Sequence, residues 1–172
     1  VRYEFFEEIR EKHHAQYVLT AHHADDQAET ILLNLVKGAK LHGLSGMSEL
    51  SGYLFRPLLA ISKDAIRAYA QEKNIDFRED STNADNNFER NKIRNDILPV
   101  LKSINPTLQE TFSDLGEYMQ EARAYIDGSV IAWLQQSERQ TGKEGAFFSD
   151  DFMTLTQFFQ REIITYLYRR AQ

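Results

Sequence analysis

Cysteine is absent from the 172 residues. That removes disulfides, thiolate metal ligands, iron–sulfur clusters and cysteine nucleophiles, and it fits a reducing, cytoplasmic setting. No apolar run approaches the roughly 20 residues a membrane helix needs, and no signal peptide is visible, so no membrane partner is expected. An excess of positive charge is missing too: 20 Lys and Arg stand against 26 Asp and Glu, a formal charge of -6. The chain as a whole therefore does not advertise a nucleic-acid binder, and RNA would need a local basic patch or a further domain. There is no internal repeat and no low-complexity tract. What remains is an ordinary globular composition, 42% hydrophobic and 27% charged, long enough for one domain or parts of two. The chain opens at Val1 inside a helical pattern and closes on Arg169-Arg170-Ala171-Gln172 without a stop signal. It is expected to be a piece of a longer protein.

Phe5, Phe6 and Ile9 among Glu4, Glu7, Glu8 and Arg10 suggest the end of an amphipathic helix. Tyr17 to Ala21 follows, short and apolar, as a strand covered on both faces should be. The next helix puts Ala28, Ile31, Leu32, Leu35 and Val36 on one stripe and ends near Gly38. Helix, buried strand and helix make the alternation of an α/β parallel sheet. Leu41 to Gly52 is punctuated by Gly and Ser and is expected to be a loop, with Tyr53-Leu54-Phe55 a short strand stopped by Arg56-Pro57. Ser62 suits the N-cap of a helix through Lys73, with Ile66, Tyr69 and Ala70 inward and Asn74 as its stop. Ile75 to Arg78 is a candidate further strand.

A polar stretch from Glu79 to Arg94 leads into a helix expected to start near Phe88 and stop before Pro99. Beyond it, Asn105-Pro106 opens one long helix whose seam runs Leu108, Phe112, Leu115, Met119, Ala122, Ile126, Ser129 and Trp133. Ser137 to Gly145 is a polar loop. A last helix is expected from Ser149-Asp150-Asp151, with Leu155, Phe158, Phe159, Ile163, Tyr166 and Leu167 inside. The domain boundary falls near residue 100: residues 1–100 α/β, residues 101–172 all-helical.

Two stretches carry chemistry. His22-His23-Ala24-Asp25-Asp26-Gln27-Ala28-Glu29 lies where the first strand turns into a helix, and in open α/β sheets ligands bind at such turns. Asp26 and Glu29 share a helix face and suit a hydrated Mg²⁺ or the ammonium of an amine substrate. His23 suits a phosphate or a reacting oxygen. A solvated helix start favoured by the dipole remains the plain alternative. A Zn or Fe site lacks ligands, since His42 is the only histidine downstream. Farther on, Arg90 and Arg94 are four apart on one face, with Asn91 and Lys92 alongside. They suit phosphates bidentately, or form an ordinary polar helix.

Thr20 to Thr30, Gly43-Leu44-Ser45-Gly46-Met47, Arg56-Pro57-Leu58-Leu59, Glu79-Asp80-Ser81-Thr82-Asn83, Arg90-Asn91-Lys92-Ile93-Arg94 and Leu98-Pro99 follow one another in this order. Together they resemble the tRNA(Ile)-lysidine synthase family of PP-loop ATPases, over residues 17–101. The resemblance implies a truncated doubly wound parallel sheet, adenine nucleotide alpha hydrolase-like, followed by an all-α substrate-binding region. It implies a cytoplasmic ligase that uses ATP and Mg²⁺ to adenylate the wobble cytidine of tRNA-Ile with a CAU anticodon. The ε-amine of L-lysine then attacks to give lysidine. In that family pattern Asp26 and Glu29 hold lysine. His23 lines the same edge as a catalytic candidate, Asp25 and Asp26 are candidate Mg²⁺ ligands, and Asp80, Asn83, Arg90, Asn91 and Arg94 face the tRNA.

One departure is large. The family's Ser-Gly-Gly-x-Asp-Ser pyrophosphate loop is not among these residues, and the glycines of Gly43-Leu44-Ser45-Gly46 lack the strand–loop–helix context of a phosphate cradle. No residue here is assigned to ATP, and this segment alone is expected to be inactive. Missing sheet strands would expose apolar surface and leave room for a homodimer. The alternatives are another PP-loop RNA-modifying or amide-forming adenylating enzyme, or a noncatalytic helical module that binds RNA or protein.

Overall fold

The computed structural model describes residues 2–78, 89–137 and 150–171. Asp80, Asn83 and the expected loop beyond Ser137 lie outside the described residues. The elements run α1 (Arg2–Lys12), β1 (Val18–Leu19), α2 (Ala24–Val36), α3 (Leu41–Leu44), β2 (Leu50–Ser51), β3 (Leu54–Phe55), α4 (Lys63–Glu72) and α5 (Glu89–Lys92). A π-helical stretch (Ile93–Ile97) leads into α6 (Leu98–Ile104), α7 (Leu108–Ser137), α8 (Asp150–Thr154) and α9 (Gln157–Arg170). Among the described residues no helix is long and apolar enough to cross a membrane.

The sheet is α/β in character but mixed rather than wholly parallel. Its order is β1-β3-β2. β1 runs parallel to β3, pairing Val18 with Leu54 and Leu19 with Phe55, and β2 runs antiparallel to β3. β1 lies at the edge, so the expected burial on both faces fails: Val18 is half-buried and Leu19 is 64% exposed. Ile75 to Arg78 forms no strand, and Ile75 and Phe77 stay largely exposed. The expected loop from Leu41 to Gly52 holds α3 and β2.

Local signals set several helix ends. Ser62 Oγ accepts the N–H of Ala65 at 3.2 Å and caps α4. Asn74, at φ 50°, ends that helix in the left-handed conformation, while Ile75 N–H returns to the Ala70 carbonyl. Gly38, at φ 76°, does the same for α2. Packing decides the rest. Ala28 of α2 packs with Ile93, Leu98 and Leu108, and Leu32 and Leu33 pack against the same cluster, but Leu35 and Val36 at the helix end are exposed. Tyr69 also points outward, against expectation, with Lys73 Nζ 5.8 Å over its ring. The helical path does not stop before Pro99. Proline sits in the first turn of α6, where its missing N–H leaves no bond unmade.

Two compact units divide the chain, Val1–Gln120 and Glu121–Gln172. The first half of α7 belongs to the first unit, where Leu108 and Phe112 pack with α2. In the second unit Val130, Phe152 and Ile163 form the core, and Asp127 accepts Arg169 Nη2 at 2.9 Å. The single last helix expected there is two. Thr156 Oγ1 caps α9 by accepting Phe159 N–H, which breaks the path after α8 and leaves Phe158 largely exposed.

Candidate functional site

The carboxyl ends of β1 and β3 lie side by side, joined by a bond from Thr20 N–H to the Phe55 carbonyl at 2.9 Å. From this edge the chain runs through Thr20–His23 into α2. Ala24 N–H bonds to the Ile61 carbonyl at 2.9 Å, which ties the turn to the segment before α4. His22 Nδ1 is 2.8 Å from Thr20 Oγ1. His23 is the extended N-cap of α2; its N–H donates to Asp26 Oδ2 at 3.1 Å, and its Nε2 is 3.3 Å from the same oxygen. Two carboxylates, Asp25 and Asp26, thus stand in the first turn of α2, where the macrodipole favours negative charge.

The two chemical stretches meet in one cluster. Arg90 Nε donates to Glu29 Oε2 at 2.8 Å, and its Nη2 lies 3.0 Å from Asp26 Oδ1. Arg94 grips Glu29 as a fork, Nε to Oε1 at 2.5 Å and Nη2 to Oε2 at 2.9 Å, with Asp26 Oδ1 at 3.4 Å. Glu29 is 1% exposed. A carboxylate that deep is tolerable only with several charge-assisted bonds, and it has them. The side-chain bond to Glu29 is the leading cause that raises the pKa of Arg94, ahead of the opposing effect of burial. Asp26, Glu29, Arg90 and Arg94 therefore compensate one another. Asn91 sits half-buried beside them on α5.

Asp25 points elsewhere. Burial raises its pKa, but this is outweighed by bonds from Lys102 Nζ at 2.8 Å, Lys63 N–H at 2.8 Å and Gln109 Nε2 at 3.0 Å, which bring it down to about 2. One carboxylate thus ties the start of α2 to α4, α6 and α7. Lys102 and Gln109 escaped sequence reasoning, because neither stands in a recognisable spacing.

Asp25 and Asp26 do not fit the expected Mg²⁺. Their four oxygens accept from Lys102, Gln109, Lys63 N–H, the two arginines and His23, and a dication would sit against these cations. Among the described residues no group of three His, Asp or Glu is disposed to hold a metal.

Three cavities in the first unit have lining residues in common. One of about 160 Å³ is bounded by His23, Asp25, Glu29, Arg94 and Lys102. It shares Asp64 and Lys102 with a second of about 570 Å³. That one shares Ala60 and Ser113 with a third of about 230 Å³, reaching Arg56 and Glu117.

A strand–turn–helix unit that gathers charged side chains at the carboxyl edge of a parallel strand pair marks an α/β domain, the class in which ligands bind at such edges. The model of the PP-loop domain matches residues 1–101, and the chain belongs to that family. It is similar to tRNA(Ile)-lysidine synthase of Geobacillus kaustophilus, 35% identical over 98% of this chain and 37% of the relative. It is 40% identical to the enzyme of that name from Bacillus subtilis, over 73% of this chain and 27% of the relative. It is 42% identical to that of Porphyromonas gingivalis, over 73% and 28%. The chain thus spans well under half the length of these curated relatives.

Proposed function

We propose that this chain carries the lysine-facing and tRNA-facing part of an ATP-dependent ligase that builds lysidine in the cytoplasm. The observation that carries the reading is the single cluster of Asp26, Glu29, Arg90 and Arg94 at the sheet's carboxyl edge, combined with relatives named tRNA(Ile)-lysidine synthase. The PP-loop half of such an enzyme is a doubly wound sheet, and the boundary with its helical region falls near residue 100.

The reaction has two steps. The C2 oxygen of the wobble cytidine in tRNA-Ile(CAU) attacks the α-phosphorus of ATP and releases pyrophosphate. The lysine ε-amine then attacks C2, giving up a proton, and AMP leaves. Mg²⁺ would travel with the ATP phosphates and offset their charge. In this chain Asp26 and Glu29 would orient the amine. Entry of an ammonium requires Arg90, more exposed than Arg94, to give up Asp26 Oδ1, and the phosphates of the tRNA are its natural new partners. Asp80, Asn83 and Asn91 would flank that contact, with His23 at the reacting edge.

In the polypeptide at its full natural length, Glu29→Gln should lose lysine incorporation while ATP-dependent adenylation of the tRNA persists. Wild-type rates for both steps in that variant would remove Glu29 from the lysine pocket. Complete mutual pairing in the cluster favours a second reading, a structural clasp in an RNA-binding module. Loss of folding and of both steps together would support it.

A further inference from the structure

The helical path that carries Arg94 widens in its middle. Leu98 N–H bonds to the Ile93 carbonyl five positions back, and Ile93–Ile97 form a π-turn between α5 and α6. Pro99 supplies the reason. It has no N–H to return to the Asn95 carbonyl, and its ring would crowd that carbonyl in a regular helix; one wide turn ahead of it removes the clash. Burial follows the wide spacing. Ile93 and Leu98, five apart, are each 4% exposed and share one core, whereas Ile97, which regular spacing would put on the face of Ile93, is 38% exposed. The turn also decides which way the cations face. On a regular helix the eight steps from Arg94 to Lys102 overshoot two full turns by about 80°. The extra residue of a π-turn takes up about 100°, which brings the two within about 20° of one face. Both side chains do reach α2: Arg94 holds Glu29, and Lys102 Nζ donates to Asp25 Oδ1 at 2.8 Å. All four border the cavity of about 160 Å³, together with Leu98 and Pro99.

We propose that Pro99 is a positioning residue of this site: through the π-turn it brings Lys102 onto the face of Arg94, so that one helical path fixes both Asp25 and Glu29 beside the cavity. Pro99 and Lys102 act through the two carboxylates and touch no reacting atom. A regular helix over the same residues would still present Arg94 to Glu29 but would turn Lys102 away, leaving Asp25 with Lys63 N–H and Gln109. Asp25 would then carry a charge without its cation one turn from Glu29, and an entering ammonium could settle on the wrong carboxylate. The inference rests on the reading that Glu29 receives the amine of lysine.

The test is a double-mutant cycle of Pro99→Ala and Lys102→Met. In the polypeptide at its full natural length, each variant should slow lysine transfer about tenfold without raising the KM for lysine. Adenylation should keep its rate, and the double variant should be no slower than either single one. Urea unfolding of the 172-residue chain needs no substrate: Lys102→Met should lower the midpoint in the natural background and leave it in place once residue 99 is alanine. Pro99→Ala with Asn95 deleted loses the extra residue along with the wide turn, so Arg94 and Lys102 return to one face and transfer should recover. Slowed transfer without that recovery, additive losses in the urea cycle, or a Pro99→Ala variant as fast as wild type would each overturn the proposal. If Pro99→Ala does not fold, the deletion variant decides, and its failure to transfer lysine overturns the proposal as well. Non-additive losses in urea for a protein that transfers no lysine would uphold the hold of the turn on Lys102 and fail the lysine reading instead.

Discussion

Arg94 holds both oxygens of Glu29, at 2.5 and 2.9 Å, across 65 positions of sequence. The carboxylate is 1% exposed and Arg94 only partly so. Arg94→Ala therefore leaves the buried charge with a single bond from Arg90 and should cost about 3 kcal/mol, near the range for breaking one side of a buried pair. Arg90→Ala removes a single bond to Glu29 from a more exposed side chain and should cost about 1 kcal/mol. Urea unfolding of the two variants reads the difference. Equal losses would mean that the fork does not anchor α2.

Asp25 gives the protein a defined acid sensitivity. Its pKa lies at about 2 in the fold against an ordinary 3.8. A depressed folded-state pKa stabilises the protein above pH 4, and this stabilisation is lost as pH falls from 4 toward 2. Discounted for solvent screening, the contribution is about 1–2 kcal/mol. Asp25→Asn should be less stable than wild type by that amount at pH 7, and the gap should narrow below pH 4. A gap independent of pH would show that Lys102 and Gln109 do not hold the carboxylate in solution.

What the sequence disclosed was local. The Ser62 cap, the stops at Gly38 and Asn74, the strand at Leu54-Phe55 and the long helix after Pro106 each depend on neighbours within a few residues, and the structure contains them. Side-chain stripes told less, because periodicity names a face without saying how far its cover extends; Val36 and Tyr69 lie beyond that cover. The charged site was visible as two separate halves, a carboxylate group and an arginine pair. Nothing in their spacing tells that each half binds the other, as contacts spanning 61 to 68 positions do. Arg56 likewise reads as a strand end before proline; its burial comes from residues that arrive from elsewhere in the chain.

The two hydroxyl caps should have similar effects in different units. Ser62 Oγ accepts Ala65 N–H at 3.2 Å, and Thr156 Oγ1 accepts Phe159 N–H at 3.3 Å. Ser62→Ala and Thr156→Ala should each cost about 1 kcal/mol. Hydrogen exchange resolves where: faster exchange in the first turn of α4 for one variant and of α9 for the other. Protection unchanged at either helix start would exclude that cap.

Gly46 and Gly38 both adopt left-handed backbone, at φ 60° and 76°, yet their surroundings differ. A Cβ on Gly46 would meet the Gln27 amide, with Nε2 at 2.6 Å and Oε1 at 2.7 Å, whereas among the described residues nothing lies within 4 Å of one on Gly38. Gly38→Ala carries only the conformational cost, about 1 kcal/mol. Gly46→Ala adds displacement of Gln27, which is 3% exposed and bonded at both ends of its amide to Met47, so its total should reach about 2–3 kcal/mol. Thermal unfolding checks the difference; equal destabilisation by the two alanines would show that Gln27 yields without loss.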